Sequence, residues 1–331
     1  MTLSAERNVA VHAVWKACAL CRAVHRDLVS EETLAKRDRS PVTVADFGAQ
    51  AVVCHSLLQA FPTDPIVAEE NSDLLRNREH KALRERVAQR VRGQLHDLPE
   101  NQMLEAIDSG RYHGGATGRF WVLDPVDGTK GYLRGDQYAV ALALIEDGRV
   151  RLAVMGCPNL AADSAGGDKR RGVLFVAERS AGTVMCRTGE RDETPVRVAE
   201  EDDPANAVFC ESFEPSHSAQ DVSARVMALL NVNADPLRMD SQCKYGVVAH
   251  GAAAVYLRLP TRADYVEKIW DHAAGSLIVT EAGGRVTDVQ GDPLDFSQGR
   301  YLYCKDGIIA TNGRLHNRVL DAVRLVTVTK T

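Results

Sequence analysis

The chain has 331 residues, is 45% hydrophobic and carries a formal net charge of -5. This is enough apolar sequence for one large domain or two small ones, and the slightly acidic balance argues against a general nucleic-acid or membrane-surface binder. No apolar run reaches the ~18 residues of a membrane-spanning helix, and the first residues lack the pattern of a secretory signal. We therefore expect a cytoplasmic protein without nucleic-acid or membrane partners.

Two helices are predicted first. An amphipathic pattern covers residues 4–29, and a second helix runs from about residue 45 to 58, after the segment 40–43 breaks the pattern. The short apolar run Ile66–Ala68 then predicts a strand that delivers Glu69-Glu70 at its end. An acidic pair at the end of a strand is a candidate for chemistry.

The eight cysteines are scattered, which does not suggest a disulfide framework in so long a chain. Cys18 and Cys21 form a CxxC pair, but they fall within the apolar pattern of the first helix, and no second pair follows at zinc-site spacing. We interpret them as core thiols, which fits a reducing compartment. A zinc protein built on cysteines and histidines is the alternative.

The middle of the chain predicts a helix and then a set of strands. Residues 76–98 combine apolar residues at i, i+4 spacing with interleaved acids and bases, which indicates a solvated amphipathic helix and not a nucleic-acid patch. The apolar run 120–123 predicts a buried strand that ends on Asp124. The turn Asp147-Gly148 joins two further strands as a hairpin.

The second half of the chain mixes strands and helices. The glycine-rich, charged stretch 161–172 suggests a domain boundary, and the runs 174–176 and 247–259 look extended. A helix is predicted over 271–282, with Gly283 as its C-terminal stop. This mixture indicates layers of α and β structure.

The segment from Asp124 to Thr129 carries the first chemical signal. A strand ends in one carboxylate, a proline fixes the turn, Asp127 follows three positions later, and Gly128 permits a close approach of the backbone to a ligand. If a short helix starts here, its free N–H groups form an anion site. Magnesium favours such hard oxygen ligands and usually shares its coordination shell with substrate phosphate oxygens.

The other candidate acids are weak signals when each is considered alone. Asp271 precedes a predicted helix and would be its N-cap, Asp46 would interact with a helix dipole in a first turn, and Glu69-Glu70 would be solvated strand-end charges. A functional interpretation therefore depends on the combination of these residues.

That combination resembles a known superfamily over nearly the whole chain. Asp124–Thr129 resembles the D-P-[ILV]-D-G-[TS] motif of the lithium-sensitive, magnesium-dependent phosphatases related to inositol monophosphatase. Trp270-Asp271 with Ala273-Ala274-Gly275 resembles their second motif, and Glu69-Glu70 resembles their G-E-E segment. Ala68 replaces the usual glycine before the acidic pair, and Val126 stands where isoleucine is common.

The 3'(2'),5'-bisphosphate nucleotidase family is the closer resemblance. The stretches that carry it are 40–46, 127–135, 240–245, 255–260 and 267–272. The resemblance implies an α/β (α+β) fold, the layered α-β-α-β-α sandwich of the inositol monophosphatase and fructose-1,6-bisphosphatase type. It implies an N-terminal α+β domain, 1–160, with most metal ligands, and a C-terminal α/β domain, 161–331, with Asp271 and the nucleotide-binding residues.

The resemblance also implies a site with two to three Mg²⁺ ions. One ion would be held by Glu69, Asp124 and the carbonyl of Val126, and a second by Asp124, Asp127 and Asp271, with Glu70 near a third, weaker ion. Asp46 and Thr129 would be the catalytic pair that activates water. The implied substrate-binding residues are Gly128, Thr129, Ser216, His217, Ser241, Lys244, Arg258 and Lys268. For His217, a plain surface histidine is an open alternative.

The implied reaction is hydrolysis of the 3'-phosphate of adenosine 3',5'-bisphosphate (PAP) to AMP, and of the 5'-phosphosulfate analogue PAPS to APS. Lithium or sodium would inhibit it, and the enzyme would be a monomer or a homodimer. The alternatives are an inositol polyphosphate 1-phosphatase or other sugar-phosphate phosphatase of the same superfamily, and a non-catalytic module that senses nucleotide or metal. The intact acid set argues against the second alternative.

Overall fold

The computed structural model describes residues 3–31, 40–162, 171–187, 190, 192–214, 219–262, 264–304 and 306–328. The helices in this part of the chain are α1 Ser4–Glu31, α2 Ser40–Ala60, α3 Asp73–Arg76, α4 Lys81–Arg92, α5 Glu100–Asp108, α6 Thr129–Arg134, α7 Gln220–Leu229, α8 Cys243–Ala249, α9 Ala273–Glu281 and α10 His316–Val328. Short 3₁₀ turns cover Arg78–His80, Pro204–Asn206 and Ile269–Asp271.

The strands are β1 Ile66–Ala68, β2 Arg119–Asp127, β3 Ala139–Glu146, β4 Arg149–Ala161, β5 Arg171–Glu178, β6 Gly182–Arg187, β7 Thr194–Pro195, β8 Phe209–Ser212, β9 Leu237–Met239, β10 Val255–Arg258, β11 Glu267–Lys268, β12 Arg285–Asp288, β13 Tyr301–Leu302 and β14 Ile308–Thr311.

Helix α2 starts earlier than the sequence predicted. It includes Ser40–Thr43, the segment expected to break the pattern. Pro41 lies in the first turn, where N–H groups have no intrahelical partner, so a proline there does not interrupt the helix. Asp46 consequently lies well inside α2, and the first-turn dipole role considered for it is wrong. The charged segment 76–98 contains α4, with Val87 and Val91 buried as the i, i+4 pattern indicated.

The first sheet has seven strands in the order β1-β2-β3-β4-β5-β6-β7. Strands β1 and β2 are parallel, and each later neighbour is antiparallel. Asp147 and Gly148 connect β3 to β4 with positive φ values of 48° and 72°. Two central residues with positive φ match the right-handed twist of a hairpin, which confirms this predicted turn.

Side chains alternate between the two faces of the first sheet. Trp121 and Leu123 of β2 pack with helices α1 and α2 in one apolar core. Phe120 and Val122 of the same strand pack with α8 and α9 in a second core. Because successive strand residues point to opposite faces, one apolar run supplies both cores.

The second sheet completes the layers. Its five strands run in the order β12-β14-β10-β8-β9, and β11 and β13 form a separate pair. Tyr256 of β10 packs into the α8–α9 core, whereas Val255 and Leu257 pack with α7 and α10. The order of layers is therefore helix, sheet, helix, sheet, helix, which confirms the predicted α-β-α-β-α sandwich.

The structure differs from the sequence-based prediction at two boundaries. The predicted division at 160/161 falls at the end of β4, whose partner β5 lies in the same sheet as β6 and β7. The first sheet thus reaches Pro195, and the division into two domains stays a prediction. In the run 247–259, residues 247–249 end helix α8 and only 255–258 form a strand, because a short buried apolar run does not by itself distinguish helix from strand.

The CxxC cysteines lie in the apolar core of the protein. Cys18 and Cys21 are fully buried, and burial raises the pKa of the Cys18 thiol to about 12. All eight cysteines lie in the described ranges, and none of them forms a disulfide. Core thiols are confirmed. None of the helices within the described ranges has the length and apolarity of a membrane span.

Candidate active site

The parallel pairing of β1 and β2 brings two acids together. Ala68 lies opposite Leu123 in the register, so the residues that follow them, Glu69 and Asp124, are neighbours. Strand β2 does not end at Asp124, as the sequence suggested, but continues to Asp127 with a register shift between these two aspartates. Such a bulge re-aims side chains at the edge of a site, and here it separates the two carboxylates of the motif.

Gly128 allows β2 to turn into the short helix α6. Its φ is 85°, in the left-handed region that favours glycine. An added Cβ would lie 2.7 Å from the Cβ of Ser241, and the carbonyl oxygen of Gln137 would be 3.2 Å away. Two independent constraints therefore require glycine here, and together they place Thr129 as the first residue of α6.

Asp271 ends a 3₁₀ turn and does not cap helix α9. The N-cap position belongs to His272, which makes no side-chain cap hydrogen bond. The Asp271 side chain makes no hydrogen bond within the described residues, so its carboxylate is available to a ligand. The N-cap interpretation is wrong, whereas the predicted stop of α9 at Gly283, with a φ of 97°, is confirmed.

These elements surround a cavity of about 560 Å³. The predicted site residues that line it are Glu69, Asp124, Val126, Asp127, Gly128, Thr129, Ser241, Lys244, Arg258, Lys268 and Asp271. Asp46 and Glu70 are not among the lining residues. Ser216 and His217 lie outside the described residues.

The acids of the cavity crowd one another. Burial first, and then the charges of Glu69, Asp127, Asp271 and Asp46, raise the pKa of Asp124 well above its ordinary value. Burial and neighbouring carboxylates also raise the pKa of Glu69, which faces the open cavity, and of the half-buried Asp271. Each carboxylate disfavours ionisation of the others, which is the situation that a bound cation relieves.

Magnesium fits this donor set. Asp124 is 2% exposed, and its Oδ1 atom is buried without a hydrogen-bond partner. A buried, unpartnered carboxylate oxygen among other carboxylates is a hard ligand of the kind that Mg²⁺ prefers. The Oδ2 atom of Asp127 accepts a hydrogen bond from the backbone N–H of Gln242, which fixes one side of that carboxylate.

Asp271 also lies beside Glu267 and His272, within 4.8 Å between ligand atoms. Those two neighbours are already engaged with other protein groups. His272 Nε2 donates to Glu267 Oε2 at 3.1 Å, and Arg258 donates to both oxygens of Glu267 at 3.0 and 3.3 Å. Burial opposes ionisation of Glu267, but the hydrogen bond and charge of His272 and the charge of Arg258 lower its pKa to about 2. This group therefore positions residues around Asp271 and is not a separate metal site.

Tyr245 completes this buried network. Its hydroxyl lies 2.8 Å from His272 Nδ1. Tyr245 therefore holds one ring nitrogen of His272, while Glu267 holds the other. A Cβ on Gly275 would lie 2.1 Å from the Tyr245 ring. The glycine of the second motif thus makes room for the tyrosine that orients His272, and sequence reasoning assigned no role to either residue.

Arg300 was also missed by the sequence analysis. Its guanidinium donates to the carbonyls of Gly110 and Tyr112 at 3.1 and 3.0 Å and to that of Ala68, next to Glu69. It also lies 4.8 Å from the centre of the Trp270 ring, next to Asp271. One side chain therefore joins the segment that carries Glu69 to the segment that carries Asp271.

Gln50 fixes the backbone of the acidic pair. Its side-chain oxygen accepts from the N–H of Glu70 at 3.0 Å, and its side-chain nitrogen donates to the Glu70 carbonyl at 2.7 Å. Gln50 is fully buried in α2, one turn after Asp46. A glutamine one turn beyond a functional acid, on a helix without other polar side chains nearby, is the signal that was available in the sequence.

Asp46 lies close to the site, behind its wall. It is 7% exposed, and burial followed by the charges of Glu69 and Glu70 raises its pKa well above the ordinary value. Helix α2 contacts α6, which begins at Thr129. Within the described residues no hydrogen bond joins Asp46 to Thr129, although their helices pack against each other.

Cationic and aromatic side chains form the other wall of the cavity. Lys244 is 3% exposed, its ammonium donates to the Met239 carbonyl at 3.2 Å, and burial lowers its pKa. This ammonium lies 5.3 Å from the centre of the Tyr256 ring, and the Arg258 guanidinium lies 5.8 Å from that of Tyr265. Lys268 lies 4.0 Å from the Tyr301 ring centre. This wall suits an anionic ligand with a flat face.

Comparison with known proteins agrees with this fold and identifies the family. The inositol monophosphatase family model matches residues 3–327, and the chain belongs to that family. Within it, the chain is 44% identical to the 3'(2'),5'-bisphosphate nucleotidase of Emericella nidulans, over 98% of this chain and 99% of the relative. It is 42% identical to the enzyme of that name from Schizosaccharomyces pombe, over 99% and 97%.

Solved structures show the same fold. The inositol monophosphatase from Anabaena superimposes with a TM-score of 0.64 at 19% identity, over 98% of this chain and 97% of that one. At this level of identity the likeness concerns the fold alone, and the sequence relatives carry the finer comparison.

Proposed function

We propose that the protein is a magnesium-dependent phosphomonoesterase that hydrolyses the 3'-phosphate of PAP to give AMP. The observation that carries this proposal is one cavity of about 560 Å³ with crowded carboxylates on one wall and Lys244, Arg258 and aromatic rings on the other. It is supported by 44% identity over nearly the full chain to a 3'(2'),5'-bisphosphate nucleotidase.

The acidic wall would hold two to three Mg²⁺ ions. Glu69, Asp124 and the Val126 carbonyl would bind one, and Asp124, Asp127 and Asp271 a second, with Glu70 near a third. Bound magnesium would supply positive charge that lowers the pKa of the attacking water and stabilises the phosphoryl oxygens. The unpartnered Oδ1 of Asp124 supports its role as the shared ligand.

Thr129 and Asp46 would guide the proton of the attacking water. The exposed Thr129 hydroxyl would contact the water and pass a proton toward Asp46, whose raised pKa suits a proton acceptor. The backbone N–H groups of Gly128 and Thr129 would bind the phosphate as its charge rearranges. The left-handed turn at Gly128 supports this role, because it brings the backbone itself to the cavity wall.

The other wall would select a substrate with a second phosphate. Lys244, Arg258 and Lys268 would bind the 5'-phosphate or the base, with Ser241, Ser216 and His217 in the same pocket. Glu267 uses two donors of Arg258, and a guanidinium has five, so Arg258 keeps donors for a phosphate. PAPS would react in the same way, and lithium or sodium would inhibit by replacing a weakly held ion near Glu70.

A panel of substrates tests this proposal. Phosphate release is measured with PAP, PAPS, inositol 1,4-bisphosphate and fructose 1,6-bisphosphate, each with magnesium and with a chelator. We expect the highest kcat/KM for PAP, and no release from any substrate in chelator. A higher kcat/KM for inositol 1,4-bisphosphate than for PAP would assign the enzyme to the inositol polyphosphate phosphatases and overturn the proposal.

A further inference from the structure

A second cavity of about 400 Å³ lies between helix α1 and the start of strand β3. Its lining residues are Ala19, Arg22, His25, Arg26, Tyr138 and Asn159. It shares no lining residue with the acidic cavity. Its volume is within the ~300–1,000 Å³ of pockets that bind small molecules, and none of its lining residues is acidic.

Three basic side chains face this cavity from one side of α1. Arg22, His25 and Arg26 are spaced i, i+3 and i+4, so they share one face of the helix. Among the residues that the structure describes, neither arginine has an ion-pair or hydrogen-bond partner. Nearby arginines are neutralised, since Arg90 pairs with Asp27 and Arg134 with Glu214. The unpaired arginines therefore repel each other beside an open cavity.

Tyr138 adds a buried donor to the same cavity. It is 1% exposed, and its hydroxyl has no hydrogen-bond partner in the described part of the chain. Burial raises its pKa, so the hydroxyl stays protonated, while the charge of Arg22 acts on it in the opposite direction. A buried hydroxyl without an acceptor is unfavourable, and an acceptor in the cavity would remove that cost.

We propose that this cavity binds the phosphate group of a small anion. Two guanidinium groups match the geometry of phosphate oxygens, and a phosphate accepts hydrogen bonds from every direction. The Tyr138 hydroxyl would donate to one oxygen, and Arg22 and Arg26 would donate to the others. The cavity leaves space for an attached group beyond a single phosphate, which favours a phosphorylated small molecule over free phosphate.

The cavity also touches the far end of the helix that begins at the active site. The ring of Tyr138 packs edge-on against Tyr132 of α6, with 4.9 Å between ring centres, and His25 packs against the same Tyr132 at 5.3 Å. Helix α6 begins at Thr129. A ligand in the second cavity would therefore contact side chains that support this helix. The binding proposal itself does not rest on the proposed activity.

Calorimetric titration of the full chain in chelator tests the proposal. Inorganic phosphate and ribose 5-phosphate are the two probes. The cationic wall of the active site can bind both of them as well, so binding at the second cavity is defined as the saturable component that Arg22→Gln changes. We expect the unchanged protein to show such a component. Arg22→Gln should weaken it by ~10-fold or more, because a charge-assisted hydrogen bond is lost. Arg149→Gln, which removes an exposed arginine elsewhere, is the matched control and should leave the affinity unchanged.

Tyr138→Phe separates binding from folding. It removes only a hydroxyl that has no partner, so the thermal unfolding midpoint of the free protein should not fall, while phosphate affinity should. Tighter binding of ribose 5-phosphate than of phosphate assigns the cavity to a phosphorylated small molecule, and equal binding assigns it to the free anion. Absence of saturable binding, or unchanged affinity in both Arg22→Gln and Tyr138→Phe, overturns the proposal.

Discussion

Asp124 interacts electrostatically with several other carboxylates of the site. Its pKa is raised by burial and by four other carboxylates, and one of its oxygens has no partner. Asp46 is also buried and its pKa is also raised, but it lies behind the cavity wall. The two aspartates should consequently fail in different ways when each is replaced.

Asp46→Asn and Thr129→Ala should each lower kcat by ~100-fold or more, because they would remove proton acceptance and water orientation. Changes in KM should be smaller. The double mutant should be much less impaired than the product of the two losses, since both residues would act as one unit. Steady-state kinetics at saturating magnesium measures all three.

Asp124→Asn should instead weaken magnesium binding, and its activity should require a higher magnesium concentration. The measurement is kcat against magnesium concentration for both aspartate variants. If raising magnesium restores Asp46→Asn but not Asp124→Asn, the two roles have been exchanged.

Arg300 joins the strand end that carries Glu69 to the turn that carries Asp271. Arg300→Gln should raise the magnesium concentration needed for half-maximal activity by ~10-fold, because several hydrogen bonds to a charged group are lost. Arg324→Gln is the matched control, since Arg324 also donates to carbonyls, those of Val289 and Gln290, at a distant point of the fold. Equal magnesium requirements in the two variants would show that Arg300 has only a general structural role.

At the scale of elements, the short helix α6 positions Thr129 in the site. It is bounded by Gly128 and Gly135, with φ values of 85° and 76°. The two glycines carry the same backbone constraint but differ in their surroundings. A Cβ on Gly135 would meet its nearest neighbour, His25, at 3.5 Å, which is ordinary contact, whereas a Cβ on Gly128 would collide with Ser241.

Gly128→Ala and Gly135→Ala should therefore both lose ~1–2 kcal/mol of stability from the left-handed backbone, Gly128→Ala should lose more because of the collision with Ser241, and the two variants should differ in activity. Only Gly128→Ala should lose ~10-fold or more in kcat, because relief of the collision displaces Thr129. Chemical denaturation and kinetics on the pair test this. Equal losses of activity would mean that strain in α6, and not the position of Thr129, limits the reaction.

Helix α10 is joined to the second sheet by its first residue, His316. The fully buried ring lies 3.0 Å from the Thr311 hydroxyl and 2.9 Å from that of Thr287. Burial, with a smaller effect of Arg285, lowers its pKa to about 4. An unfolded histidine titrates near ~6.5, so the unfolded chain takes up a proton between these values and the folded chain does not.

The free energy of unfolding should accordingly fall as the pH is lowered from about 6.5 to about 4, and His316 should contribute to that fall. His316→Gln should be less stable at pH 7 but should show a shallower decrease over this window. Denaturation at several pH values measures the difference between the two curves. Parallel curves would mean that the histidine titrates equally in both states.

At the scale of the whole molecule, the order of the motifs predicted more of the fold and of the site than the amino-acid composition did. Through their resemblance to a known superfamily, the two aspartate motifs and the acidic pair predicted the layered sandwich, and Glu69, Asp124, Asp127 and Asp271 line one cavity. Arg300 was not found, because a side chain that binds backbone carbonyls shows no pattern in sequence. Gln50 was missed although a glutamine one turn after Asp46 in an apolar helix was a visible signal. Strand β2 was predicted too short, because a proline normally ends a strand and here lies in a bulge.

The layers also explain the positions of the acidic and cationic residues around the cavity. Glu69 and Asp124 come from the first sheet, and Asp271 precedes α9, the helix between the two sheets. Lys244 and Arg258 come from α8 and from β10 of the second sheet. The acidic wall thus comes mainly from the first sheet, whereas the cationic wall includes Arg258 from the second sheet, and the helical layer between them adds Asp271 to one wall and Lys244 to the other. A substrate with two phosphates would bridge the two walls.

Analysis of the reaction products tests the central claim most directly. Purified protein is incubated with PAP and magnesium, and phosphorus NMR follows the 3'- and 5'-phosphates separately. We predict that the 3'-phosphate is released as inorganic phosphate, that AMP accumulates with its 5'-phosphate intact, and that a chelator stops the reaction. Loss of the 5'-phosphate, or undiminished release in chelator, would contradict the account.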